Sequence, residues 1–206
     1  MQPASFAEVR ALNDQALALR DRFPDFYIPG IHIHPRFPQE SCAVIARCCG
    51  QEGVRWIGEL VGYLTGYADD YATQDALAIF HEAGKYKAVV NFHCDDLDVI
   101  ERLCRNTPEV NFVLAHPNAN RNEILKRIGL VAQLPNLPLD ISGSGIDRLG
   151  VLRKAIDLAG KEKLLFGTDF PINNPAVYVH GAAYEQLQEE EYTALFSGNF
   201  RRLCRM

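Results

Sequence analysis

An α/β fold with a parallel sheet is the architecture this chain predicts, and three observations predict it. Short apolar runs alternate with helix-like stretches in roughly six strand-plus-helix units, the alternation that marks βα repeats. Each run is dense in Val, Ile, Leu and Phe, as a strand buried on both faces reads. Four of the runs stop at a side chain able to bind a metal: Glu59 after VRWIG, His93 after AVVNF, His116 after NFVLA and Asp169 after LLFGT. Function in wound α/β proteins collects at the carboxyl ends of the strands, so the four are expected to converge on one spot.

The elements follow in order. An amphipathic helix is expected over 5–22, ended near Pro24. YIPGIHIHP (27–35) is a β-branched strand candidate, 39–51 a helix stopped at Gly53, and VRWIGELVGY (54–63) the next strand and its mouth. A loop with several Tyr and Asp residues (64–72) leads to a helix over 73–84, with Gly84 as its C-terminal signal. KAVVNFHC (87–94) is a strand, followed by a helix over 95–106 whose first residues, Asp95 and Asp96, suit its positive end. NFVLAHP (111–117) and LPLDIS (137–142) are strands, separated by a helix over 120–133. A helix over 146–160 stops at Gly160, KLLFGTDFP (163–171) is the last strand, 172–183 is a loop, and a helical tail starts near 184.

Size and charge narrow the class. With 206 residues, 48% of them hydrophobic, the chain is expected to form one domain over 1–206 around one core. A net charge of −5 without a basic stripe works against nucleic-acid partners, which need phosphates neutralised, and leaves a small-molecule substrate as the expected partner. No apolar run approaches the roughly 20 residues that span a bilayer, and MQPASFAEVRALND lacks a signal-peptide core. A cytoplasmic protein with no membrane partner is expected. Its six cysteines lack a paired metal-knuckle spacing and read as free, mostly packing thiols.

Glu59, His93, His116 and Asp169 supply imidazoles to hold a divalent ion and carboxylates to bind it or move protons. Zinc is the first expectation and manganese the alternative; either lowers the pKa of a bound water. Each residue alone has an ordinary explanation: a satisfied histidine at a strand end, a glutamate paired with arginine, an aspartate capping a turn. Four such accidents in series are harder to accept than one site. His32 and His34 form an H-x-H pair whose imidazoles share one side of a strand, and they are additional ligand candidates. His81 and His180 read as surface or packing residues, and Ser142 and Ser144 lack a nucleophile elbow. GSG (143–145) reads as a helix-entry loop whose amides could cradle an anion, and Tyr63, Tyr67 and Tyr71 line the mouth or pack the loop beside it.

The segments NDQALALRDRFPDFYIPGIHIHP, GELVGY, VNFHC, FVLAHPN, LDISGSG, LLFGTDFP and SGNFRRL resemble the amidohydrolase superfamily, specifically its amidohydrolase-related TIM-barrel branch of metal-dependent hydrolases and decarboxylases. The resemblance runs from about Asn13 to the C-terminus, and FGTDFP followed by a late N-x-x-R is its most specific element. It implies a TIM-barrel-like fold with Asp169 as metal ligand and proton shuttle on the last strand. It also implies a ligand or polarising role for His93 and His116 on the fifth and sixth strands, and for Glu59 on the fourth. Catalysis would rest on Asp169 and His116.

The resemblance also implies a departure. An ordinary (β/α)8 barrel takes about 250 residues and eight strands, more than are available here. YIPGIHIHP aligns with the third strand, so the first two strands and their H-x-H pair are expected to be missing and the barrel incomplete, with about six parallel strands. The rival alignment makes His32 and His34 the first-strand pair. Bared sheet edges would be covered by the N-terminal helix or by a second copy of the chain. The expected activity is attack of a metal-activated water on a small ester, amide or lactone, or the related non-oxidative decarboxylation. Alternatives are a phosphoesterase or nuclease like the TatD proteins, and a non-catalytic barrel remnant.

Overall fold

A computed structural model describes residues 5–67, 70–145 and 148–206. The chain divides into two compact units, Met1–Phe112 and Val113–Met206.

In the first unit, helix α1 (Phe6–Arg22) buries Phe6, Val9 and Leu17 together with one polar side chain, Asn13. The Asn13 carboxamide donates to the His32 carbonyl at 2.9 Å and accepts from the His32 amide at 2.7 Å. This accounts for a difference from expectation: only Gly30–Ile31 of the run 27–35 forms a strand, β1. Pro29 and Pro35 bring no N–H to a ladder, and Asn13 occupies the backbone groups of His32. Helix α2 (Pro38–Ile45) widens into a π-type turn through Gln51. Cys48 and Cys49 are both buried there, and burial pushes the Cys49 thiol up to about 12. None of the six cysteines is in a disulfide.

Strands β2 (Trp56–Val61) and β3 (Val89–His93) pair in parallel, and β1 pairs in parallel with β2. The register breaks in the middle of β2. Ile57 faces Val90 and Leu60 faces Phe92, so Gly58 and Glu59 together oppose the single residue Asn91. That two-against-one count is a β-bulge, which bends the strand and re-aims its side chains. Ile57 and Leu60 are both buried although three residues apart, because the extra residue restores the inward phase. Position 58 has φ +110°, and a Cβ there would stand 2.1 Å from the Asn91 carbonyl oxygen, so only glycine fits.

The stretch expected as a loop over 64–72 contains a short helix, α3 (Gly62–Thr65), and a single turn at Asp70–Ala72; residues 68 and 69 lie outside the described residues. The buried Tyr71 hydroxyl donates to the Leu60 carbonyl at 2.7 Å and accepts from the Gly62 amide at 3.1 Å. Helix α4 (Gln74–Lys85) runs past Gly84 rather than ending there. Gly84 is buried inside the helix, where a Cβ would come within 2.6 Å of Glu109 Cγ, so it serves close packing and not termination. Helix α5 (Leu97–Asn106) is capped by Asp96, whose carboxylate accepts from the amides of Asp98 and Val99 at 2.9 and 3.1 Å. Edge-to-face contacts run from Tyr71 to Phe92, Phe112 and Phe80 and form the aromatic heart of this unit.

Strand β4 (Asn111–Leu114) carries the chain into the second unit, where its Leu114 pairs in parallel with Leu139 of β5 (Leu139–Asp140), and β5 pairs in parallel with β6 (Leu164–Leu165). Both later strands are shorter than the runs 137–142 and 163–171 that announced them. The Asp140 carboxylate takes the Ser142 amide at 2.6 Å and turns the chain out of β5. After β6 the Phe166 amide bonds the Leu195 carbonyl of the C-terminal tail, not another strand. Helices α6 (Arg121–Gln133) and α7 (Val151–Ala159) follow β4 and β5; residues 146 and 147 of the helix expected over 146–160 lie outside the described residues.

The segment 172–183, expected as a loop, is mostly helix α8 (Pro175–Tyr184). Asn174 caps it through a 3.0 Å bond from the Ala176 amide, and Pro175 suits the first helical position. The tail forms α9 (Glu189–Thr193) and α10 (Asn199–Cys204). Asn199 is buried and donates to the carbonyls of Lys161 and Leu164, and Arg202 donates to that of Glu162. The late N-x-x-R is therefore a clasp between the tail and β6.

Candidate metal centre

Each of the four expected strand-end side chains is only partly buried, as a ligand open to solvent or substrate must be, but Glu59 lies inside β2 and Asp169 four residues beyond β6. In the first unit, the bulge presents Glu59 and the last residue of β3 presents His93. Glu59 Oε1 lies 3.7 Å from His93 Nδ1. That is too long for a hydrogen bond. Two donors each about 2.1 Å from one ion stand roughly 3.0–3.6 Å apart for angles of 90–120°, so the pair needs to close by only a few tenths of an ångström to share an ion. The other imidazole nitrogen, Nε2, lies 3.7 Å from Asp95 Oδ2. A carboxylate hydrogen-bonded behind a ligating imidazole fixes its tautomer and raises its basicity, and Asp95 would have to close by about 0.5 Å to act in that way. The Tyr63 ring stands edge-on to His93 with centroids 5.2 Å apart, and it is largely exposed.

Of the H-x-H pair, His34 is buried against Phe37 and Tyr67, and its Nδ1 accepts from the Arg36 amide at 3.2 Å. Burial holds its pKa below the ordinary histidine value. His32 is part-buried; burial lowers its pKa while the Glu59 carboxylate pulls the other way. The pair therefore splits: His32 lies in the field of Glu59, and His34 is engaged in a turn.

In the second unit, His116 lies just beyond β4 with φ +66°, in the left-handed region that non-glycine residues rarely adopt. Buried Arg127 reaches the carbonyls of Ala115 and His116 at 3.4 and 3.3 Å, holding the backbone there. His116 Nδ1 contacts Ser142 Oγ at 3.1 Å. The ring lies so close to the GSG loop that a Cβ on Gly143 would stand 2.4 Å from Nδ1. Tyr178 of α8 donates its hydroxyl to the Gly143 carbonyl and fixes that loop. Asp169 also has a left-handed backbone, with φ +61°, and its Oδ2 accepts from Asn173 Nδ2 at 3.3 Å.

Sequence reasoning read Asp95 only as a helix-start charge and passed over Ser142, Tyr178 and Arg127 as site residues. Asp95 was within reach, standing two residues after His93 in HCDD. The other three depend on contacts between distant positions, and no local pattern marks them. Of the histidines expected to be peripheral, His81 pairs with Glu109 at 2.6 Å, and His180 lies exposed on α8 instead of in a loop.

Among solved structures, the chain is similar to a 2,6-dihydroxybenzoate decarboxylase from Rhizobium, with 16% identity over 96% of this chain and 76% of that one and a TM-score of 0.77. A 5-carboxyvanillate decarboxylase from Sphingomonas paucimobilis is similar with 15% identity, coverage of 97% and 73% and a TM-score of 0.74. A dihydroxybenzoic acid decarboxylase from Polaromonas sp. JS666, determined with manganese and the inhibitor 2-nitroresorcinol, gives 14%, 96% and 74%, and 0.72. These likenesses show the fold, an α/β architecture of the TIM-barrel-like kind, and the chain spans about three-quarters of each neighbour's length. No curated protein matches the chain. The amidohydrolase family model matches residues 4–205, nearly every residue from α1 to the tail clasp, and by that match the chain belongs to the amidohydrolase family.

Proposed function

We propose that this chain is a metal-dependent enzyme acting on a small molecule, with residues 1–206 working as one domain. In this reading Glu59, His93 and His116 hold a divalent ion, and Asp169 binds it or carries the proton of the reaction. One observation carries the reading: three of these four side chains are presented by irregular backbone. Glu59 stands in a bulge, and His116 and Asp169 are in left-handed conformations. Such backbone costs about 1–3 kcal/mol per residue and gathers where function compensates for it. The donor set of imidazole and carboxylate suits manganese and zinc alike.

A divalent ion held there supplies Lewis acidity toward a substrate oxygen. The chain's own residues do the rest. The Asp95 carboxylate, 3.7 Å from His93 Nε2, attracts that ring once it carries positive charge, the Ser142 hydroxyl holds the His116 ring at Nδ1, and Asp169 takes up or delivers a proton at its carboxylate. Tyr63, exposed beside His93, offers a ring edge to a flat substrate.

The reaction favoured is loss of carbon dioxide from a small aromatic acid, supported by the decarboxylase names of the neighbours and by Tyr63. Hydrolysis of a small ester, amide or lactone is the second reading, supported by the family description. The test begins with elemental analysis of the purified chain before and after incubation with Mn²⁺ or Zn²⁺. The loaded protein is then assayed for carbon dioxide release from 2,6-dihydroxybenzoate and 5-carboxyvanillate, and against a panel of lactones, esters and amides. A chain that retains neither ion overturns the proposal in favour of a barrel scaffold without catalysis.

A further inference from the structure

A recess lies wholly in the second unit, and none of the metal-ligand candidates lines it. It is a cleft of about 340 Å³ between the first turns of α6 and α7. Its floor is apolar, with Ile124, Leu125, Ile128 and Val151, and Leu149 stands beside it 81% exposed. Three cations line it: Arg121, Arg148 and Lys154. None of the lining residues is acidic. Residue 147, an aspartate next to Arg148, lies outside the described residues.

In the same unit Lys126 pairs with Glu123, Lys161 with Glu190, and Arg153 with both Asp157 and Glu191. Arg121 and Lys154 have no ion-pair partner among the described residues, and Arg148 donates only to the neutral Ala119 carbonyl. The carboxylate in contact with a lining residue is that of Glu185, buried and occupied by the Gly150 amide at 2.7 Å. A chain of net charge −5 has thus placed three cations, none in an ion pair among the described residues, around one apolar recess. A guanidinium fork matches phosphate or carboxylate oxygens, and the apolar floor adds affinity only for a ligand with a hydrophobic body. The volume sits near the low end of the roughly 300–1,000 Å³ typical of small-molecule sites, too small to seat a macromolecule.

We propose that this cleft is a second binding site, independent of the metal centre, for a small amphiphilic anion: a phosphate or carboxylate headgroup on a compact aromatic or short acyl body. Headgroup oxygens bind Arg121, Arg148 and Lys154, and the body lies on Ile124, Leu125 and Leu149.

The test is calorimetric titration of the full chain, with and without Mn²⁺, using 1-naphthyl phosphate as probe and inorganic phosphate and 1-naphthol as comparators. The expected result is one site for 1-naphthyl phosphate with a dissociation constant below about 1 mM, present in both forms and at least tenfold tighter than either comparator. The double variant Arg121→Gln/Lys154→Gln, made at exposed positions and checked for an unchanged melting temperature, is expected to bind at least tenfold more weakly. Binding that needs Mn²⁺, or that survives the double substitution, overturns the proposal. So does 1-naphthol binding as tightly as its phosphate, which would reduce the recess to an apolar patch. Equal affinity for inorganic phosphate would reduce it to a surface charge and overturns it as well.

Discussion

Replacing Gly143 by alanine tests how the His116 ring is held. A methyl group at this position would begin 2.4 Å from Nδ1, 2.7 Å from Cγ and 2.8 Å from Cε1 of the imidazole. An ordinary carbon–nitrogen contact is about 3.5 Å, so the ring must retreat by about 1 Å or the loop must open. The loop is tied at the Gly143 carbonyl by Tyr178, and the ring moves first. The φ of +66° adds a conformational cost of about 1–2 kcal/mol for any residue with a Cβ. The sum is a loss of about 2–4 kcal/mol, or about 4–16 °C in melting temperature for a chain of this size. Displacement of a positioned group by about 1 Å also costs on the order of a hundredfold in turnover. Gly53→Ala is the matched control, because its φ is +73° but nothing lies within 4 Å of its Cβ position; it should show the conformational cost alone. Urea unfolding and metal content of both variants settle the question. If Gly143→Ala costs no more than Gly53→Ala and keeps its metal, the Gly143–His116 contact does not position the ligand.

Three further outcomes are expected. Asp169→Asn keeps side-chain volume and the Asn173 contact, so it should lose at least a hundredfold in turnover while melting within about 2 °C of the parent; unchanged turnover would remove Asp169 from the mechanism. Asn199→Ala removes the side-chain donor from the carbonyls of Lys161 and Leu164, of which the Lys161 carbonyl keeps the Leu164 amide, and should lower stability by about 1–3 kcal/mol in urea unfolding while leaving metal content per folded chain unchanged. Glu191 is held at a pKa of about 2, chiefly by its hydrogen bonds to the Arg153 guanidinium and then by the Gln188 amide. Its folded-state value lies below the unfolded one, so its contribution is complete above about pH 4.5 and is lost as the pH falls toward 2. With Arg153 partly solvated the contribution is about 1–2 kcal/mol, and Glu191→Gln should flatten the acid limb of stability against pH by that amount.

The hydrophobic runs before Glu59, His93, His116 and Asp169 made the strands legible, because an apolar run records which backbone is buried, but their ends were not: β2 continues through Glu59 to Val61, and Asp169 lies four residues beyond β6. Strand lengths were not legible. The run 27–35 reads as one strand, yet Asn13, 19 residues away from His32, decides where it stops. The bulge at Gly58 was equally hidden, since a glycine inside a strand states a local freedom and not which neighbour crowds it. Helix α8 was missed although Asn174-Pro175 is a good helix start, because its face shows little apolar periodicity and buries only Tyr178 and Ala182. Around the candidate centre, residue types were readable and their supports were not: Ser142, Tyr178 and Arg127 reach His116 or its loop only through the fold.

The Asn13 carboxamide has a bearing on growth of the sheet at its first strand. It presents one acceptor and one donor to His32, the same pair that a neighbouring peptide would present. Any segment extending the β1 pairing through His32 must first evict this side chain and the helix that carries it. A single amide therefore imitates an adjoining strand, and it makes intermolecular templating at that margin an exchange of contacts instead of a gain.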